Sequence, residues 1–243
     1  MDFKETVREL FIFFHVDFTK NIKYDRLTKT IMKNYINKDS NCIDVGCHKG
    51  EILSLMLKYA PEGKHYAFEP IPYLFNDLTK KFKNKAKILP FALSNISGET
   101  SFHLVKNAPA YSGIKRRRYD ISDPKIEEIN VELKPLDKIV SPSEKIHFIK
   151  IDVEGGEFDV LKGAKNLIKK NRPIILFECG KGASDYYGTT PQDIYNFIYN
   201  ELGLKIYTLN SFIKSKDPLS ILEFENCFNT NEEYYFAAGI SEK

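Results

Sequence analysis

Hydrophobic positions in this chain fall into short β-branched or aromatic runs, separated by longer amphipathic stretches, and from Asn41 the two kinds alternate. Short apolar runs bounded by turn residues read as buried strands, whereas a period near 3.6 reads as helix. Strands are predicted at Cys42–Val45, His65–Phe68, Ala86–Leu89, Ile146–Val153, Ile174–Phe177, Leu204–Leu209 and Glu233–Ala238, the last two as a closing hairpin. Helices are predicted at Glu51–Tyr59, near Tyr73–Phe82 behind Pro72, at Glu157–Lys170, and near Pro191–Leu202. Thr190 suits the N-cap of the last of these, and Pro72 and Pro191 suit first turns. Alternation of this kind builds a mostly parallel sheet with helices on both faces. Residues 1–40 read as a charged helical lead-in, and residues 41–243 as one domain.

The rhythm breaks once, over an insertion spanning about residues 98–134. Gly98–Val105 and Ile129–Leu133 alternate like strands, and Lys106–Asp123 between them is polar and basic. Long irregular insertions in compact domains tend to be functional or mobile. This one follows the third strand, on the edge where ligands bind, so it is expected to cover the acceptor side of a pocket.

Candidate chemistry starts at Cys42–Gly50, where a strand ends in a glycine-bearing turn and a helix follows at once. The next strand ends in Glu69. Glycines let a backbone approach a ligand closely, and an acid at the second strand end can take ribose hydroxyls. The spacing is G-x-x-x-G, shorter than the pattern that cradles a pyrophosphate. A ligand with a ribose and no diphosphate fits better, which favours S-adenosylmethionine over NAD. Asp44, Glu69, Asp152 with Glu154, and Glu178 all close predicted strands. Carboxylates gathered on one sheet edge repel unless a cation lies among them. The cationic end of S-adenosylmethionine, or a divalent metal such as Mg²⁺, would supply it.

Composition narrows the setting. The 243 residues are 42% hydrophobic and 28% charged with a net charge of +3, an ordinary globular balance that gives no reason to expect nucleic acid. Cys42, Cys47, Cys179 and Cys227 show no C-x-x-C pairing, so reduced thiols and a cytoplasmic location are expected. No apolar run reaches the roughly eighteen residues of a membrane span. The short stretch Leu10–Val16, with Phe11, Phe13 and Phe14, reads as a helix covering the sheet or a partner subunit, or as a membrane-surface helix. A homo-oligomer stays open.

Several blocks, in order, carry a family resemblance: Asp44–Gly50, Phe68-Glu-Pro70, Ala92–Gly98, Leu136-Asp137, Phe148–Glu157, Val160–Ala164 and Pro173–Glu178. Over about residues 41–178 the chain resembles the FkbM family of S-adenosylmethionine-dependent methyltransferases. The resemblance implies a class I methyltransferase fold, that is, a Rossmann-like seven-stranded, mostly parallel sheet with helices on both faces. It also implies O-methylation of a hydroxyl on a sugar, glycan or related small acceptor. Carried over by position, Asp44, Gly46 and Gly50 would hold the methionine part, Glu69 the ribose, and Ser94 and Asn95 the adenine. Asp152 would lie by the amino group or the transferred methyl. Cys47, His48 and Lys49 depart from the small or apolar residues usual in the family loop.

A sugar hydroxyl needs a base or a Lewis-acidic metal. Asp152, Glu154 and Glu178 are the candidate bases, with His103 and His147 behind them. Asp152 and Glu154 would share a side if the strand continued through both. Lys115, Arg116, Arg117 and Arg118 read either as a grip for an anionic acceptor or as a solvated charge run. Two rival readings remain: an NAD-dependent oxidoreductase, disfavoured by the loop spacing, and a non-catalytic binding module on the same sheet.

Overall fold

The computed structural model describes residues 19–119 and 121–240. The apolar stretch Leu10–Val16 lies outside them. Seven strands form the main sheet: β1 Cys42–Val45, β2 His65–Phe68, β3 Lys87–Leu89, β7 Phe148–Ile151, β8 Ile174–Glu178, β9 Lys205–Thr208 and β10 Tyr235–Gly239. Their order is β3-β2-β1-β7-β8-β10-β9. All neighbours run parallel except β10, which is antiparallel to both β8 and β9. Each predicted strand is therefore present. Every residue of β1, β2 and β7 is buried, as expected of parallel strands covered on both faces.

Alternation along β1 and β7 sorts side chains between two helix layers. Ile43, Val45, Ile149 and Ile151 pack into one core with Val160, Leu161 and Ile168. Cys42 and Phe148 pack into the other, with Leu53 and Met56 of helix α2 (Glu51–Tyr59) and with helix α1 (Lys20–Tyr35). Asp44 and Lys150 are direct register partners on that second face. Helix α1 is capped by Thr19, whose hydroxyl accepts the Ile22 N–H, and it buries Tyr24, Leu27, Ile31 and Met32 against this core.

The helix predicted over Glu157–Lys170 is instead two, α4 Glu157–Gly163 and α5 Lys165–Asn171. The carboxylate of Asp137 explains the break. It accepts the Asn166 and Leu167 N–H groups at 2.9 and 2.8 Å, satisfying amides that a continuous helix would have used internally. Gly163 allows the junction to press on the main chain of Ser94, where a Cβ would sit 2.1 Å from the carbonyl oxygen. Thr190 does cap the following helix, in a reciprocal box with Asp193, but regular α geometry stops at Asn196 and a π turn, Phe197–Glu201, completes it.

The insertion joins the strand just before it in a second, three-stranded sheet of β4 Phe91–Leu93, β6 Ile126–Lys134 and β5 Gly98–Val105, in the order β4-β6-β5. Its inner face, Phe102, Leu104, Val131 and Leu133, packs on Ile71 and Leu74 beside the main sheet. The connecting strap folds back through a bridge between His103 and Gly113 and a 3-10 turn at Pro109–Tyr111.

Candidate active site

The loop from β1 to α2 is shaped by backbone contacts. Gly46 and Cys47 N–H both donate to the Phe68 carbonyl, at 3.1 and 3.0 Å. Gly46 has φ +74°, and a Cβ there would lie 1.9 Å from the Asp152 carbonyl oxygen, so only glycine fits under that neighbour. Gly50 serves packing instead: a Cβ there would meet Phe82 and Leu78, and the residue does not line a cleft. Glu69 accepts the His48 N–H at 2.8 Å and the Ile71 N–H at 3.0 Å. Burial pushes its carboxyl up to about 7, partly offset by those two N–H groups. Each carboxylate oxygen keeps acceptor capacity beyond these bonds. Burial lowers the His48 imidazole below its usual range, favouring the neutral ring.

Two cavities meet at this loop. One, of about 70 Å³, is apolar and lies between Phe68–Ile71, Phe91–Leu93, Phe102 and Val153. The other, of about 1140 Å³, is a polar cleft reaching from α1 to Gly180–Ala183 and Tyr234. Gly46, His48, Ala110, Asp152 and Glu154 line both, so the two adjoin across these residues. The strap, expected on the acceptor side, covers both. Pro109, Ser112 and Ile114 close the apolar pocket, and Tyr111, Arg117 and Arg118 face the cleft.

Ser94 and Asn95 are not brought to either cavity. Strand β4 presents Phe91, Ala92 and Leu93 to the apolar pocket, and the chain then turns away. The Ser94 N–H is used by the Lys134 carbonyl at 3.2 Å, its own carbonyl presses on Gly163, and Asn95 points to solvent.

On the cleft floor, the Lys150 ammonium donates to the Gly46 carbonyl at 2.9 Å. It also lies 3.6 Å from Asp44 Oδ1 and 3.5 Å from Asp152 Oδ2. Asp44 is fully buried, and neither carboxylate oxygen has a hydrogen-bond partner among the described residues. Its burial raises the carboxyl, with Lys150 pulling the other way. Glu178, at the end of β8, is held well above the usual carboxylate range by burial and by Asp152 and Glu157. Glu178 therefore keeps its proton near neutrality, close beside Asp152.

Glu154 does not share a side with Asp152 through strand alternation, because β7 stops at Ile151. Glu154 sits at φ +61° and pairs with Arg117 from the strap. Arg117 also donates to the Gly182 carbonyl at 3.3 Å and lies over the rings of Tyr111 and Tyr119. Lys115 and Arg118 N–H bond the hydroxyls of Tyr187 and Tyr186, each at 3.2 Å. The basic run is therefore divided. Arg117 is a covered structural cation, whereas the Lys115, Arg116 and Arg118 side chains are exposed.

Two residues gain roles that spacing did not reveal. Lys150 supplies the cation that gathered acids require, together with Arg117 on the opposite wall. Glu157, read only as a helix opener, accepts the Val153 N–H at 2.9 Å and the Gly155 N–H at 3.2 Å, and so shapes the turn that presents Asp152 and Glu154. Its only foreshadowing was its place after a double glycine. His147 accepts the Asn41 N–H at the far end of β7, and His103 lies on β5 outside both cavities, so neither is placed as a base. Among the described residues no group of three or more His, Cys, Asp or Glu side chains is arranged to hold a metal ion. Nor is any helix long and apolar enough to cross a membrane. All four cysteines are buried and unbridged.

Comparison with known proteins decides the family. The sequence model described as the methyltransferase FkbM domain matches residues 44–206, from the first strand-end acid to the penultimate strand. This chain belongs to the FkbM methyltransferase family. It is 26% identical over 175 residues to the 2-O-methyltransferase NoeI of Sinorhizobium fredii, covering 64% of this chain and 69% of NoeI. It is also 26% identical over 152 residues to the methyltransferase sdnD of Sordaria araneosa, covering 50% of this chain and 59% of sdnD. Its fold matches the crystal structure of methyltransferase FkbM from Methylobacillus flagellatus KT with a TM-score of 0.52 and 14% identity. That match spans 84% of this chain and 44% of the other. The architecture is thus that of a class I, Rossmann-like methyltransferase.

As an FkbM domain the protein is a methyltransferase, and the family implies S-adenosylmethionine as methyl donor. The residues present fit that ligand. An apolar pocket for a flat ring adjoins Glu69, whose carboxyl has spare acceptor capacity. Beyond the Gly46 turn, Asp152 lines the cleft and Asp44 is buried behind it, an acidic setting compatible with a cationic end.

Proposed function

We propose that this protein transfers a methyl group from S-adenosylmethionine to a hydroxyl of a sugar, glycan or related small acceptor. The observation that carries the reading is that the apolar pocket adjoins the acid-floored cleft, with Asp152 lining both. The similarity to a 2-O-methyltransferase supports oxygen as the accepting atom. When bound, the cofactor supplies an electrophilic methyl on a cationic sulfur. The protein's residues bind, orient and move the proton. Phe91–Leu93 and Ile71 take the adenine, Glu69 the ribose hydroxyls, and the Gly46 turn, with Asp44 buried behind it, the methionine end.

In this reading Asp152 is the base. Its side chain is 31% exposed, open to the cleft yet held from below by Lys150. Glu178, kept protonated by its burial, orients the acceptor. Glu154 acts indirectly, holding Arg117 and hence the strap over the acceptor. Arg118 at the rim suits an acceptor bearing an anionic group. Alignment of acceptor oxygen, methyl and sulfur is worth several kcal/mol without further chemistry, and proton removal adds about 10²–10⁴-fold.

The test pairs calorimetric binding of S-adenosylmethionine with methyl transfer to a panel of sugars and nucleotide-sugars. Asp152→Asn is expected to lower turnover by about 10²–10⁴-fold while the melting temperature stays close to that of the wild type. Near-normal turnover in a folded Asp152→Asn protein would remove Asp152 as base.

A further inference from the structure

Lys150 stands where an uncompensated charge could not persist. Its side chain is 7% exposed, on a strand buried on both faces, and an ammonium in such a place is costly unless paired. Three groups converge on it, two from the end of β1 and one from just beyond its own strand: the Gly46 carbonyl at 2.9 Å, Asp44 at 3.6 Å and Asp152 at 3.5 Å. The parallel register that sets Asp44 beside Lys150 makes the arrangement a property of the sheet.

We propose that Lys150 is a positioning residue that presets the cleft floor, pairing with Asp44 and Asp152 and pinning the Gly46 carbonyl, so that a cationic ligand end is received without the floor first releasing a proton. The proposal rests on the cofactor reading above only for the identity of that ligand.

The surrounding groups support it. On the first-strand side Asp44, the Cys47 thiol and Glu69 face Lys150, and burial holds the thiol well above its ordinary value and therefore protonated. On the β8 side Glu178, Glu157 and Tyr235 face Asp152, and burial raises all three. Arg117 is near that side too, but it is paired with Glu154, while His48 is pushed toward neutrality. Lys150 is thus the cation in direct contact with Asp152. Without it, the floor would compensate by binding a proton.

Lys150→Met removes the charge and roughly keeps the length. In the free protein, thermal melting from about pH 5 to about pH 8 should show the variant falling progressively below the wild type. A carboxyl whose folded-state affinity for a proton has risen loses stability as that proton is titrated off. In the same variant, S-adenosylmethionine affinity measured by calorimetry should climb with pH more steeply than in the wild type, by up to about tenfold per pH unit. Lys150→Arg keeps the cation and should track the wild type in both measurements. Should Lys150→Met fail to fold, Lys150→Gln removes the charge, keeps a donor for the Gly46 carbonyl, and is read through the same two curves. Melting curves of variant and wild type that stay parallel across this range overturn the proposal. Failure of the cofactor reading looks different: wild-type protein that binds no S-adenosylmethionine while the melting curves still diverge refutes the ligand and leaves the preset charge standing.

Discussion

Between β1 and α2 the chain builds its wall of the cleft from backbone amides and glycine, whereas the strap and the ends of β7 and β8 build the opposite wall from side-chain charge. On the first wall the partners are main-chain atoms: Gly46 and Cys47 bond Phe68, and Glu69 gathers the amides of His48 and Ile71. On the second, Arg117 pairs with Glu154, the buried Glu178 stands beside Asp152, and the hydroxyls of Tyr186 and Tyr187 hold strap amides. A wall of amides fixes backbone geometry rather than side-chain identity, so Cys47 and His48 can stand in it while Gly46 cannot be changed. A wall of charges carried on an insertion can be altered residue by residue, which suits the side that selects an acceptor. The two are joined where the Gly46 turn slides under Asp152.

That contrast can be broken most severely at the join. Gly46→Ala places a methyl 1.9 Å from the Asp152 carbonyl in a left-handed conformation. We expect a loss of at least about 1–3 kcal/mol from backbone strain alone, read as a fall in melting temperature together with loss of cofactor binding. Retained binding and stability would show that the amide wall is more pliable than its geometry requires.

Glu157 tests the turn between the walls. Burial raises its carboxyl to about 7, against about 4.3 in an unfolded chain. The folded state therefore holds the proton more tightly, so this contribution is full below about pH 4.3 and is lost as the pH rises through about 7. Up to about 3 kcal/mol is at stake. Glu69 contributes with the same sign. Glu157→Gln retains an acceptor for the Val153 and Gly155 amides, so the decline in stability between about pH 4.3 and 7 should become shallower. An unchanged pH profile in thermal melts would refute the assignment.

On the charged wall, Arg117→Ala should cost about 1.5–3 kcal/mol and weaken acceptor binding more than cofactor binding. Adding Glu154→Gln should recover part of the stability, because the stranded carboxylate is removed as well. A double variant no more stable than the single one would mean that Arg117 acts through its tyrosine contacts instead. The smallest effect is expected outside both walls. Asn95→Ala, at an exposed position away from the cavities, should change cofactor affinity and stability by no more than about 0.5 kcal/mol. A clear loss of affinity would restore Asn95 to the adenine site.

Local pattern carried far where the causes are local. The parallel strands announce themselves as unbroken apolar runs, Thr190 and Pro191 open the helix they promise, and the glycine loop with Glu69 after β2 marks the binding edge. Alternation failed at Glu154, because it presumes a strand that had already ended at Ile151. Continuity failed at Gly163 and Ala164, because the competing partner for the next amides, Asp137, comes from a distant part of the chain. The helices α7 Leu209–Ile213 and α8 Ile221–Thr230 went unpredicted between the last two strands, although Ser220 and Glu223 form a capping box that spacing could have revealed.

By itself the sequence determined the sheet, the glycine turn, the acids on one edge and the family, because periodicity, backbone freedom and strand-end chemistry are written into neighbouring residues. Only the tertiary structure decided what neutralises those acids. Lys150 meets Asp44 through the register of two strands far apart in the chain, and Arg117 reaches Glu154 across a folded strap. Electrostatic pairing depends on distance in space, and that distance exists only once the chain has closed.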